Sequence, residues 1–134
     1  VEVQSIAALD ALIGRKTGIP EMVNGQWELQ HRYVNFTRSG ISISLMYVNA
    51  ADAQQTIVGV INLISNPQYM MLSFEQSYEG TIQQFDGVNF YITENINKPV
   101  ALWQGDDKLL LFSGRTSQEE VTSLLRTIIR EIGE

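Results

Sequence analysis

The chain has 134 residues, the length of one domain, and at this size a packed core needs no covalent staple. Hydrophobic residues make up 44% and charged residues 18%, a globular composition rather than a disordered one. There is no cysteine and a single histidine, His31, and Lys+Arg 9 against Asp+Glu 15 gives a net charge of −6. This excludes disulfides, thiolate nucleophiles and multi-histidine metal sites, and argues against a nucleic-acid partner.

No apolar run approaches the ~20 residues of a membrane span, and no basic segment precedes an apolar one as in a signal peptide. The sequence begins at Val1 rather than Met. The expectation is a mature or excised domain whose signal or anchor lies upstream.

The first element is a short helix from about Ser5 to Arg15. Ile6, Leu9, Leu12 and Ile13 recur at helical spacing, Ser5 can cap the start, and Gly14 or Gly18 can end it. Gly18-Ile19-Pro20 then requires an extended connection, because a residue before proline avoids the helical region. From Trp27 the period changes to two. Trp27–Phe36 and Ile41–Val48 read as strands, joined by Arg38-Ser39-Gly40 with Gly40 at a position of positive φ. In the second strand Ile41, Ile43, Leu45 and Tyr47 alternate with Ser42, Ser44 and Met46, which puts the larger apolar set on one face.

Thr56–Ile64 fits either element on spacing. Ile57, Val60, Ile61 and Ile64 would share a helix face capped by Asp52. Dense β-branching, a central Gly59 and the stop at Asn66-Pro67 favour a strand. Tyr69–Phe74 is a further strand. Thr81–Phe85 and Val88–Thr93 flank Asp86-Gly87, a type I′ hairpin signal. Val100–Gln104 and Lys108–Ser113 flank Gly105-Asp106-Asp107, a second hairpin. Leu102, Trp103, Leu109, Leu111 and Phe112 place this pair close to the core.

The last element is the clearest. Ser117-Gln118-Glu119-Glu120 has the pattern of a capping box, in which hydroxyl and carboxylate each satisfy an amide of the first turn. Val121, Leu124, Leu125, Ile128, Ile129 and Ile132 then form a stripe at spacings of three and four. Glu119 and Glu120 near the start and Arg126 and Arg130 near the end suit the helix dipole. Gly133 is a natural stop.

The expected fold is α+β: a curved antiparallel sheet, a meander of about seven to eight strands, with the N-terminal and C-terminal helices packed on one face. One globular domain covers 1–134.

No catalytic signature stands out. His31 lies mid-strand, and general-base work would need a nucleophile and an orienting carboxylate nearby. No Gly-x-Ser-x-Gly elbow is present, so it reads as a surface or partly buried histidine. Glu75, Glu79, Asp86 and Glu94 fall on strand ends and loops, where two carboxyl groups could pair for glycosidase-like chemistry. Nothing distinguishes any two of them from solvated acids. Asp106 and Asp107 with Asp86 could face a cation, but the alternating oxygen pattern of a calcium loop is missing. No phosphate-binding glycine pattern occurs. Asn35-Phe36-Thr37 matches the N-glycosylation pattern inside a predicted strand. Tyr69, Met70, Met71, Leu72 and Phe74 read as core under the C-terminal helix, with an adaptable apolar pocket as the alternative.

Four stretches follow one another near the C-terminus. They are Gly87-Val88-Asn89-Phe90-Tyr91-Ile92, Ala101-Leu102-Trp103-Gln104-Gly105-Asp106, Leu110-Leu111-Phe112-Ser113-Gly114 and Ser117-Gln118-Glu119-Glu120-Val121. In this order they resemble the C-terminal half of the bacterial domain of unknown function family 4367: a hairpin, a Trp-containing strand, a strand ending in Ser/Gly and a Ser-x-Glu-Glu helix. Leu45-Met46-Tyr47-Val48-Asn49 is similar to the family's apolar-Tyr-x-Asn strand. The segment before Ile41 matches in layout only. The resemblance implies a domain on the outer side of the membrane in Gram-positive bacteria, following a single span or a lipoprotein signal. It brings no catalytic residues; Trp103, Ser117 and Glu120 carry over as fold determinants.

The functional expectation is therefore a non-enzymatic extracytoplasmic domain that binds or senses a peptide, protein or envelope component. It needs no cofactor, metal, nucleic acid or membrane span within the chain. Two alternatives are a carrier for an apolar ligand held between sheet and helix, and a hydrolase using surface carboxylates or His31.

Overall fold

Ser5 caps the first helix, α1 (Ile6–Ile13), and its hydroxyl accepts the amide of Ala8 at 3.0 Å. Gly14 ends it in the left-handed conformation at φ 88°, a turn or less earlier than the expected Arg15. The computed structural model describes residues 1–38, 40–64, 81–85, 88–95, 98–105 and 107–132. After α1 come β1 (Met22–Val23), β2 (Trp27–Phe36), β3 (Gly40–Asn49), β4 (Thr56–Ile64), β5 (Thr81–Phe85), β6 (Val88–Asn95), β7 (Lys98–Gln104), β8 (Lys108–Gly114) and the closing helix α2 (Gln118–Glu131). Thr56–Ile64 is a strand. Gly40 takes φ 152°, as its hairpin position requires. The Tyr69–Phe74 segment, the Asp86-Gly87 dipeptide and Gly133 lie outside the described residues.

All eight strands form one antiparallel sheet, curled into a half-barrel, in the order β1-β2-β3-β4-β8-β7-β6-β5. The order leaves a purely sequential meander at one place, where β4 pairs with β8 rather than β5. Two four-stranded meanders thus meet at β4–β8, with Ile61 opposite Leu110 and Gly59 opposite Phe112. Such a join needs a long connection between β4 and β5, and 65–80 supplies the length.

Period-two burial sets the inner face. Ile43, Leu45 and Tyr47 of β3, Ile57 and Ile61 of β4, and Leu110 and Phe112 of β8 are buried there. They join Ile6 and Leu9 of α1 and Val121, Leu124, Leu125, Ile128 and Ile129 of α2 in one core, so both helices lie on the same face. Each buried Leu or Ile is worth about 1.5–3 kcal/mol. On β6–β8 the other face is apolar too. Tyr91, Leu102 and Leu109 are buried in a second cluster with half-buried Leu111. Leu102, Leu109 and Leu111 therefore belong to this opposite face, while Trp103 and Phe112 belong to the main core.

In β2 the alternation slips once. The register shifts between Leu29 and His31, leaving Gln30 as the extra residue of a bulge. Trp27 and Leu29 face the core before it, and Arg32 and Val34 after it. The Arg32 guanidinium is held by the Glu21 carboxylate and donates to the Leu29 carbonyl at 3.2 Å. Its edge is closed by the chain itself: Val1–Val3 bond to Arg32 and Val34, and β1 pairs with Trp27 and Glu28.

Further polar contacts tie loops and helix to the sheet. The Ser117 hydroxyl accepts the Glu120 amide at 3.2 Å, while the Glu120 carboxylate turns to accept from Trp27 Nε1 at 3.2 Å. The capping box thus forms one of its two bonds, and the second is traded for an anchor to β2. The Tyr47 hydroxyl donates to the Pro20 carbonyl at 2.7 Å.

Burial pushes the Tyr47 phenol well above its ordinary value; nearby Arg32 opposes the shift and Glu21 adds to it. The unfolded chain ionises this group near pH ~10, but the folded chain does not. Above that pH the unfolded state binds fewer protons, so stability falls as pH rises. Urea unfolding at intervals from about pH 8 to about pH 11 should show this decline. Tyr47→Phe should flatten it while costing about 1 kcal/mol at neutral pH. An unchanged alkaline slope in the variant would show that Tyr47 does not govern it.

Candidate ligand-binding site

The two helices do not cover the inner face completely. A cavity of about 250 Å³ remains where the C-terminal ends of α1 and α2 approach each other over β3 and β4. Strand register builds its floor. Ile43 is paired with Ile61, and Leu63 lies two positions further along the same face of β4. Lys108 sits opposite Leu63 at the first inward position of β8, and its side chain borders the same opening. Ile132 closes one wall.

The other wall is the loop after α1. Asp10 Oδ1 accepts both the amide and the hydroxyl of Thr17, at 3.1 and 2.6 Å, and the Asp10 carbonyl accepts the amides of Gly14 and Arg15. One aspartate therefore folds the loop back on its helix and presents Arg15 and Lys16 at the rim. Gly18 closes it against α2. It takes φ 79°, and a Cβ there would stand 2.5 Å from the Glu131 carbonyl oxygen, so only glycine fits. Arg15 and Lys16 are exposed, and Lys108 is largely covered with Asp107 at 3.5 Å.

His31 is elsewhere, on the outer face of the sheet. Its Nδ1 lies 3.0 Å from Glu2 Oε2, and its ring stacks on Tyr33 at 6.4 Å between centroids. These two rings border a shallow groove with Ser44, Met46 and Val58. An acid and a serine thus come near the imidazole, but among the described residues no hydrogen bond joins Ser44 to His31. Asn35 is exposed near the end of β2. Glu75, Glu79, Asp86 and Asp106 lie outside the described residues, and Glu94 is in β6. Asp107 is exposed beside Lys108. Among the described residues no group of three potential ligands could hold a metal ion, and no helix is long and apolar enough to cross a membrane.

Between α2 and the sheet the space is filled. Val121, Leu124, Leu125 and Ile128 have no exposed surface, which speaks against an apolar ligand stored there. The residues at the cavity rim do not stand out in the sequence. The available signal is Arg15-Lys16 directly after a helix-ending glycine in an acidic chain.

A half-barrel with two helices on its inner face and a cavity between their ends defines an α+β domain with a preformed pocket. No protein-family model, curated protein or solved structure matches the chain.

Proposed function

We propose that this chain is a non-enzymatic binding domain of the bacterial cell envelope, displayed outside the membrane, and that it takes its ligand in the cavity between α1 and α2. The observation that carries the reading is the cavity itself. Its rim is built by three separate segments, and its loop is fixed by the Asp10–Thr17 bonds and by Gly18 against α2. Such preorganisation lowers the ordering cost of binding. The groups at the rim are permanent charges and one hydroxyl, which suit recognition and electrostatic orientation of a ligand. The envelope location is supported by the resemblance of the Gly87–Val121 stretch to the bacterial family.

A small-molecule and peptide screen read by amide chemical shifts tests the binding half. Hits clustering at Thr17, Ile19, Leu63 and Lys108 are expected. Hits confined to the His31–Tyr33 groove, or none, would overturn the pocket assignment. Protease accessibility of the full-length protein in intact cells tests the location, and full protection would overturn it.

A further inference from the structure

We infer that the cavity takes a small polar zwitterion of the α-amino acid type, its carboxylate held by Arg15 and Lys16 and its ammonium by Asp107 and the carbonyl end of α2. This rests on the binding reading above and gives its ligand a chemical class. Size and lining narrow the class first. A volume of 250 Å³ equals about eight waters at ~30 Å³ each, room for about as many heavy atoms. Ile43 and Ile61 lie beneath the opening but are 0% and 2% exposed, so they have no surface left for an apolar tail. What meets solvent in the cavity is mostly polar.

Both signs of charge border the opening, and they come from different segments. Arg15 and Lys16 follow the end of α1 and are exposed. Among the described residues no carboxylate lies within ion-pair distance of either. The Arg15 guanidinium offers a planar fork matched to carboxylate oxygens, and Lys16 adds a point charge. Lys108 is already matched by Asp107.

The negative side has two sources. Asp107 borders the opening, is exposed and stands 3.5 Å from Lys108. An ionised carboxylate has about four acceptor sites, and one loose lysine contact leaves most of them open. The second source is the end of α2. The Ile128 carbonyl accepts the Ile132 amide, and among the described residues the carbonyls of Ile129, Arg130 and Glu131 accept no further helical amide. Such an end carries about half a negative charge. It stands at the cavity wall: the Glu131 carbonyl oxygen is the atom that a Cβ on Gly18 would approach to 2.5 Å, between Thr17 and Ile19 of the lining. A simple anion gains from Arg15 and Lys16 but meets Asp107 and the helix end as like charges. A simple cation meets the reverse. A molecule that carries both signs within a short length is matched on both sides.

The test uses ¹⁵N-labelled protein titrated with L-serine, with N-acetyl-L-serine and L-serinamide as comparisons. It is run at about pH 6.5, where the serinamide amine is charged. L-serine should shift the amides of Thr17, Ile19, Leu63 and Lys108. N-acetyl-L-serine lacks the ammonium and L-serinamide the carboxylate, so each should bind about tenfold more weakly. The double variant Arg15→Gln/Lys16→Gln should lose about tenfold in L-serine affinity and little in L-serinamide affinity, because the amide has no carboxylate to lose. A role confined to steadying the end of α1 would instead lower the melting temperature and leave L-serine affinity unchanged. Asp107→Asn should narrow the preference for L-serine over N-acetyl-L-serine. Equal binding of the three compounds, or unchanged L-serine affinity in both variants, would overturn the zwitterion assignment and leave the pocket reading intact. So would silence from L-serine where the broader screen gives hits at these amides. No shift there from any compound in either experiment would remove both readings.

Discussion

Leu125→Ala and Ile128→Ala are each expected to lower the unfolding free energy by about 2–5 kcal/mol. Both side chains have no exposed surface and sit at the centre of the α2 stripe, in contact with the main core. Truncation removes the transfer free energy of the lost methyl groups and leaves a cavity that the sheet below cannot collapse to fill. Single-domain stability is about 5–15 kcal/mol, so either change removes a large share of it. Arg130→Ala, on the exposed side of the same helix, should stay within about 0.5 kcal/mol. Chemical denaturation of the three variants checks the prediction. Wild-type midpoints in both core variants would mean that α2 is not docked as described.

The stripe shows what was readable in advance. Its six apolar positions, the Ser117 cap and the charge order along the helix are local features, and local physics predicts them. Strand boundaries followed for the same reason: Trp27–Phe36, Thr56–Ile64 and Thr81–Phe85 are the observed β2, β4 and β5. Three other features were not legible. The bulge at Gln30 has no glycine or proline to announce it, yet it turns His31 and Tyr33 outward and Arg32 inward. The β4–β8 pairing joins residues about fifty positions apart, and periodicity holds no information about partners at that distance. The cavity is the third case. Arg15, Leu63 and Lys108 are ordinary in their own segments and become a site only when the half-barrel brings those segments together.

Gly59 links the local and long-range levels, and its substitution should be costly. In the sequence it argued only against a helix. In the fold it lies on the inner face of β4, opposite Phe112 of β8, and a Cβ placed there would fall on the Phe112 ring. The aromatic ring thus lies across the glycine and is completely buried. Gly59→Ala gains strand propensity, but it forces the ring off its rotamer or spreads β4 from β8. Overpacking of this kind costs about 1–3 kcal/mol. Phe112→Leu alone loses packing over an unfilled glycine and should also be destabilising. Together the two changes exchange volume across one strand pair, so the double variant should be more stable than the sum of the single losses predicts. The expected coupling is about 0.5–3 kcal/mol in a double-mutant cycle measured by urea unfolding. Additive losses would mean that the Gly59 backbone and the Phe112 ring do not share the same space. That contact lies within the β4–β8 join, where the two meanders become one sheet and where Leu63 and Lys108 are set side by side under the cavity mouth.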